Sequence, residues 1–176
     1  NLRIITVKSL SIFKTSKPKQ VITIANTFLV QDRDHFSINK RNTKIVSEKK
    51  PTKREMDDLI FANKVVKHVR SNAIVIAKNK TTIGIGSGNT SRVDSVKFAI
   101  EKSKRVQLIK ATKILSGSVM ASDAFFPFTD SIKLAKKSGI KSIIQPGGSI
   151  KDKSVIEEAN KNGLSMVFTN KRCFSH

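Results

Sequence analysis

Three short stretches hold the residue types from which a ligand site can be built: "GSGNTSR" at 86–92, "SDAFFPFTD" at 122–130 and "QPGGSI" at 145–150. Gly86, Gly88, Gly147 and Gly148 let backbone N–H groups approach an anion closely, and the helices that follow offer their positive ends. As plain turn residues the same glycines need no ligand. Arg92 at a helix start and Arg172 just past the last strand supply planar forks suited to a phosphate or a carboxamide. The middle stretch sets Phe125, Phe126 and Phe128, three of the chain's ten Phe, around Pro127, with Asp123 and Asp130 on either side. One or two of these rings read as a plug between sheet and helix, while Pro127 stiffens the segment so that a group reaching a pocket has little freedom to lose. Asp130 reads both as an N-cap and as an acceptor for a ligand amine. A hydrolytic pair of Asp123 and Asp130 is disfavoured, because two acids separated by a Pro-bearing loop have no particular reason to face each other.

Other chemistry has less support. Lys67-His68 has the types of a proton-transfer pair, but it lies between Val66 and Val69 in a helical stripe, where a surface Lys and a partly packed His account for it. His35, His68, His176 and Cys173 show no metal-ligand spacing, and there is no Walker motif, no GxSxG and no dinucleotide fingerprint.

Elements with the right spacing surround the three loops. "KKPTKREMDDLIFANKVVKHVR" opens on a Thr52/Glu55 capping box and keeps Met56, Leu59, Ile60, Val65, Val66 and Val69 at helical spacing. "AIVIAK" and "TTIGIG" are two apolar runs joined by the turn-prone "NKT", and a helix enters near Ser91. Then follow a strand near "SVMASD", a helix "DSIKLAKKS" closed by Gly139, a strand "IKSIIQ", a helix "DKSVIEEANKN" closed by Gly163, and a strand "LSMVF". Strand, helix, strand, helix, strand with short connections predicts parallel βαβ units and an α/β class. Residues 1–50 carry strand and loop signals with no helix, so they predict an extended arm or edge strands ahead of a lobe at 51–176.

The 176 residues suffice for one buried core, and the single Cys173 excludes an internal disulfide framework. No apolar run approaches the roughly 18 residues of a membrane helix, so a soluble, reducing, cytoplasmic setting is expected, with no membrane partner. The chain opens at Asn1 on the strand-like "LRIITV" with no leader pattern, which reads as a piece of a longer polypeptide. The net charge of +21, taken alone, predicts contact with nucleic acid. Against that, the 34 basic residues are 26 Lys and 8 Arg, spread along the whole chain, whereas phosphate-fork and base-reading surfaces lean on Arg. A Lys-rich composition acting on solvated faces is the reading preferred here.

"VVKHVRSNAIVIAK", "IGIGSGNTSRVDS", "ASDAFFPFTD", "QPGGSIKDKSVIEEA" and "MVFTNKRCFSH", in this order and spacing, resemble the C-terminal part of the AICAR transformylase family, the formyltransferase half of a bifunctional purine biosynthesis enzyme whose other half is IMP cyclohydrolase. The resemblance spans essentially the whole chain, "FLVQDRD" and "KKPT" included. It implies a cytidine-deaminase-like α/β/α sandwich with a mixed, largely parallel sheet and no zinc. It also implies transfer of a formyl group from 10-formyltetrahydrofolate to the 5-amino group of AICAR ribonucleotide. By motif, Asn72 sits at the reacting centre, Arg92 and Phe125 hold the base and carboxamide, and Arg172 holds the phosphate. Val93, Asp130, Ser149 and Ile150 line the folate side. The closing His176 has a family counterpart, some members bind potassium near the chain end, and the family implies a homodimer.

The chain also departs from the family. The catalytic Lys-His pair belongs to an earlier transformylase segment that is absent, as is the cyclohydrolase domain, and Lys67-His68 does not align with that pair; the chain alone is therefore expected to be inactive. Asn26-Thr27 stand where a Gly pair is usual, and Thr129 where an Arg is usual. A basic α/β nucleic-acid-binding module and an inactive remnant of the enzyme are the alternative readings.

Overall fold

The alternating signals of the C-terminal half fold as they read, and two antiparallel departures from that alternation shape the sheet. The computed structural model describes residues 19–32, 37–110 and 114–174, the side chains of 106–110 excepted. It divides into two compact units, residues 1–36 and 37–176. Within the first, β1 (Lys19–Ile24) and β2 (Thr27–Asp32) form an antiparallel hairpin. Its turn closes at Ala25 and Asn26 without a glycine: Ala25 takes φ 49°, and the Thr27 hydroxyl donates to the Ile24 carbonyl at 2.9 Å.

The second unit is built on a six-stranded sheet in the order β3-β8-β7-β6-β4-β5, formed by β3 (Lys44–Ile45), β4 (Ile74–Lys78), β5 (Thr81–Gly86), β6 (Val119–Ser122), β7 (Ser142–Gln145) and β8 (Ser165–Phe168). The β6-β7 and β7-β8 ladders are parallel; β4 is antiparallel to both β5 and β6, and β3 is antiparallel to β8. Strands β5, β6, β7 and β8 thus run one way, and the sheet is mixed but largely parallel. Of the two forms expected for residues 1–50, the edge strand is found at β3, which pairs with β8 at the border of the sheet; with the Val46 amide donating to the Met166 carbonyl at 3.0 Å, residues 37–50 belong to the second unit, so the boundary falls ahead of residue 37 and not at 50.

The helices α1 (Lys53–Val66), α2 (Arg92–Lys110), α3 (Asp130–Lys137) and α4 (Asp152–Lys161) complete three layers. Alternation along the central strands divides the core. Ile74, Ile76, Met120, Ile143 and Met166 pack with residues of α2, α3 and α4, including Val96, Ile132 and Val155. The intervening Val75, Ala77, Ala121, Ile144 and Val167 are equally buried, on the face that α1 covers with Leu59, Ala62 and Val66. Strands buried on both faces read as continuous apolar runs, which is how "AIVIAK" and "SIIQ" stand in the sequence.

Local signals set the element ends. The Thr52/Glu55 box forms in both directions: the Glu55 amide donates to the Thr52 hydroxyl at 3.2 Å, and the Thr52 amide to the Glu55 carboxylate at 2.7 Å. Gly139 and Gly163 take φ 91° and 62° just past α3 and α4. The β4-β5 turn places Asn79 and Lys80 at φ 55° and 54°, and the buried Asp58 carboxylate accepts from both of their amides.

Candidate functional site

Because β4 runs against β5 and β6, its first residues meet the carboxyl ends of those two strands, and four segments converge there. They are Asn72 ahead of β4, Thr90–Val93 at the start of α2, the loop after β6, and the tail after β8. They enclose a cavity of about 460 Å³. Its lining includes Asn72, Arg92, Val93, Phe125, Asp130 and Arg172, six of the eight residues predicted for the site.

At the floor, polar groups hold one another in a fixed arrangement. Arg92 is buried; its Nη1 donates to Ser122 Oγ at 3.0 Å and to the Asp123 carboxylate, and its Nη2 donates to Asn72 Oδ1 at 2.9 Å. Asp123 is fully buried and also accepts from the Ser71 hydroxyl at 2.6 Å. Asn72, which follows a cis Ser71–Asn72 peptide, donates through Nδ2 to the carbonyls of Asn89 at 2.9 Å and Thr90 at 3.2 Å. With the Arg92 bond on Oδ1, the amide is held from both ends. An amide oxygen accepts two hydrogen bonds, and Oδ1 takes one, from Arg92.

The Ser91 hydroxyl donates to Asp94 at 2.9 Å, and the Asp94 amide donates back to Ser91 Oγ at 3.2 Å, so the start of α2 is capped locally. Hydrogen bonds from Lys97 and then Ser91 hold the Asp94 carboxyl below its ordinary pKa.

The three rings of "FFPF" part company. Phe126 is wholly buried in the core, its amide donating to the buried Gln145 side chain at 3.0 Å. Phe128 is 64% exposed at the cavity mouth. Phe125 lines the wall with the Arg172 guanidinium 4.7 Å from its ring centre; Phe174 lies on the same cation at 5.9 Å. Arg92 is neutralised by Asp123, so Arg172 is the lining cation without a carboxylate partner among the described residues.

Several expectations need correction. Ser149 and Ile150 do not line the cavity. Their loop closes on itself: Gly148 N–H donates to Asp152 at 2.7 Å, Lys151 N–H to Ser149 Oγ at 3.0 Å, and Ile150 is fully exposed. The Gly148 N–H of the "PGGS" turn is thus already taken by a carboxylate. Gly86 and Gly147 have a packing reason: a Cβ on Gly86 would meet the Ser95 backbone of α2, and one on Gly147 would run into ring carbons of Phe168.

Asp130 is the first residue of α3 rather than its N-cap. Thr129 takes the cap position without a side-chain bond, and Asp130 accepts from the Ser131 amide at 2.7 Å. Thr129 itself is not among the lining residues. Lys67-His68 lies past the end of α1 instead of in its stripe; Lys67 is the C-cap and His68 is exposed. His35 and His176 lie outside the described residues. Among the described residues no three His, Cys, Asp or Glu come together as a metal centre, and no helix is long and apolar enough to cross a membrane. Sequence reasoning missed Ser71 and undervalued Asp123; the signal was an acid directly after the last residue of a buried strand, where a charge needs a partner.

A family model described as the AICARFT/IMPCHase bienzyme matches residues 1–102. The bifunctional purine biosynthesis protein PurH of Persephonella marina is 51% identical over the whole chain, which spans 32% of that protein. PurH of Aquifex aeolicus is 51% identical over 87% of the chain and 29% of its own length. The chain thus spans about a third of the curated relatives it matches. Among solved structures, a diaminohydroxyphosphoribosylaminopyrimidine deaminase/5-amino-6-(5-phosphoribosylamino)uracil reductase from Thermotoga maritima aligns with TM-score 0.39 and 18% identity, over 63% of this chain and 34% of that one.

Proposed function

The chain belongs to the AICARFT/IMPCHase bienzyme family, and from that premise we propose that it is the C-terminal part of the transformylase region. In this reading it supplies substrate contacts for moving a formyl group from 10-formyltetrahydrofolate to the 5-amino group of AICAR ribonucleotide, in cytoplasmic purine biosynthesis. The observation that carries the reading is the convergence of Asn72, Arg92, Val93, Phe125, Asp130 and Arg172 from four segments on one cavity.

The chemistry follows from what each group has left to offer. The acceptor amine is a weak nucleophile, so it must be oriented and must lose a proton as the carbon–nitrogen bond forms and the folate amine leaves. Asn72 Oδ1, already accepting from Arg92, has a lone pair to accept from that amine. The Arg92 guanidinium keeps N–H groups for the carboxamide oxygen. Phe125 offers a ring face to the base, and Arg172 a cation to the phosphate. Val93 and Asp130 face the folate side, with Ser149 and Ile150 reached only by a ligand extending beyond this cavity. The ionisable groups among the described lining residues are two arginines and an exposed Asp, with no His or Lys. In this reading the base is the family's Lys-His pair, which the resemblance places in an earlier segment of the region, with a second subunit completing the site in a homodimer.

The test is reconstitution: this chain is joined to, or co-expressed with, the remainder of a bifunctional relative, and formyl transfer is assayed. Activity is expected for the completed protein and none for the chain alone. Arg92→Ala is expected to cost about 100-fold in kcat/KM, and full activity of that variant would remove Arg92 from the site.

A further inference from the structure

Nothing in the resemblance gives Asp123 a role, yet it bonds to three of the four segments that meet at the site, those of Asn72, Arg92 and Arg172. Its carboxylate accepts from Arg92 at the start of α2 and from Ser71 beside Asn72. Its amide donates to the Ala73 carbonyl at 3.3 Å, and its carbonyl accepts from Cys173 N–H at 3.0 Å, next to Arg172. The residue itself is fully buried and lies beyond the cavity lining, so it does not touch a ligand. A buried guanidinium needs a fixed counter-charge, and a carboxylate with one partner on each oxygen fixes the direction of the fork as well as its charge.

We propose that Asp123 is a positioning residue. Through Arg92 it sets the orientation of the Asn72 amide, and through its carbonyl it anchors the tail that carries Arg172 against Phe125. The assignment rests on the reading of the site given above. It separates the work of the two arginines: Arg92, neutralised from behind, presents directed N–H groups, and Arg172 brings the net positive charge. A ligand with one neutral polar end and one anionic end fits that division.

The test uses the reconstituted protein with Asp123→Asn, Ser71→Ala, Arg92→Ala and the Arg92→Ala/Asp123→Asn double variant. Asp123→Asn is expected to lower kcat/KM about 100-fold and Ser71→Ala about tenfold. Guanidinium ion added to Arg92→Ala is expected to restore activity at least tenfold, and to restore none in the double variant, where no carboxylate holds it. A merely structural ion pair would show no such dependence. Activity of Asp123→Asn within twofold of wild type, or equal rescue of both Arg92 variants, overturns the proposal while leaving the proposed reaction standing.

If the completed wild-type protein transfers no formyl group, the proposed reaction fails on its own. Positioning is then read by hydrogen exchange of the Asn72 side-chain amide, held between the Asn89 and Thr90 carbonyls. Asp123→Asn is expected to reduce its protection at least tenfold while the β7 amides keep theirs. Unchanged protection at Asn72, or equal loss in β7, refutes positioning.

Discussion

Gly86→Ala separates the two explanations of the glycines ahead of α2. Gly86 is the last residue of β5, paired across the ladder with Ile74, and a Cβ there would lie 2.6 Å from the carbonyl carbon and 2.8 Å from the Cα of Ser95, with the Ser95 oxygen closer still. All three are backbone atoms, so no rotamer relieves the clash. Bringing the carbonyl carbon to an ordinary contact of about 3.5 Å requires β5 and α2 to part by about 1 Å. Arg92 is one turn earlier on α2, and its 2.9 Å bond to Asn72 would stretch to nearly 4 Å, beyond hydrogen-bonding range. The 2.7 Å bond from Ser95 Oγ to the Asn72 carbonyl would stretch with it.

Overpacking of this kind costs about 2–3 kcal/mol, or about 6–10 °C in Tm for a domain of this size. A 1 Å displacement of a binding group costs about 100-fold in activity. The control is Gly163→Ala, at φ 62° with no atom within 4 Å of the new Cβ; it carries only the left-handed penalty of about 1 kcal/mol and leaves the site intact. Thermal melts of both variants, with formyl transfer measured in the reconstituted protein, decide the matter. If Gly86→Ala melts like wild type but loses ligand, Gly86 serves an anion. If it loses neither stability nor activity, the packing argument is refuted.

Further predictions concern the capped turn, the start of α2 and the aromatic-bound cation. Asp58→Ala leaves the Asn79 and Lys80 amides without their carboxylate and is expected to cost about 2–3 kcal/mol in a denaturant melt, with loss centred on the β4-β5 hairpin in hydrogen exchange. The Asp94 pKa is lowered by its bonds from Lys97 and Ser91, so its contribution is present above the ordinary carboxyl value of 3.8 and is lost as pH falls through the lower folded value. An NMR titration of Asp94 should show that low midpoint with the Arg92 amide shifting in step, and a midpoint at or above 3.8 contradicts it. Arg172→Lys removes the fork stacked on Phe125 and is expected to weaken AICAR ribonucleotide binding about tenfold by calorimetry; unchanged affinity would take Arg172 out of the phosphate position.

Much of the fold was legible because its signals are local. The Thr52/Glu55 box, the closing Gly139 and Gly163, the "NKT" turn and the apolar runs of β4, β6, β7 and β8 each depend on residues a few positions apart, where backbone stereochemistry and short side-chain bonds decide the outcome. The ordered motifs also identified which residues to watch, and six of those eight meet in the cavity. What no local pattern carries is the pairing of distant strands. That β4 inserts antiparallel between β5 and β6, bringing Asn72 to their carboxyl ends, is set by burial of both faces of the sheet and by the close approach of α2 over Gly84 and Gly86.

The partner of a buried charge is likewise a tertiary matter. The pairing of Asp123 with Asp130 was disfavoured from the sequence, but its true partner was not legible there: Asp123 is the counter-charge of Arg92, because a guanidinium taken out of water needs a carboxylate wherever along the chain one can be brought to it. Ser149 and Ile150, adjacent by motif, are turned away by a carboxylate four residues past Gly148. The sequence alone determined the elements and the identity of the chemical groups; tertiary packing decided which groups face one another, since direction and desolvation exist only once the layers have closed.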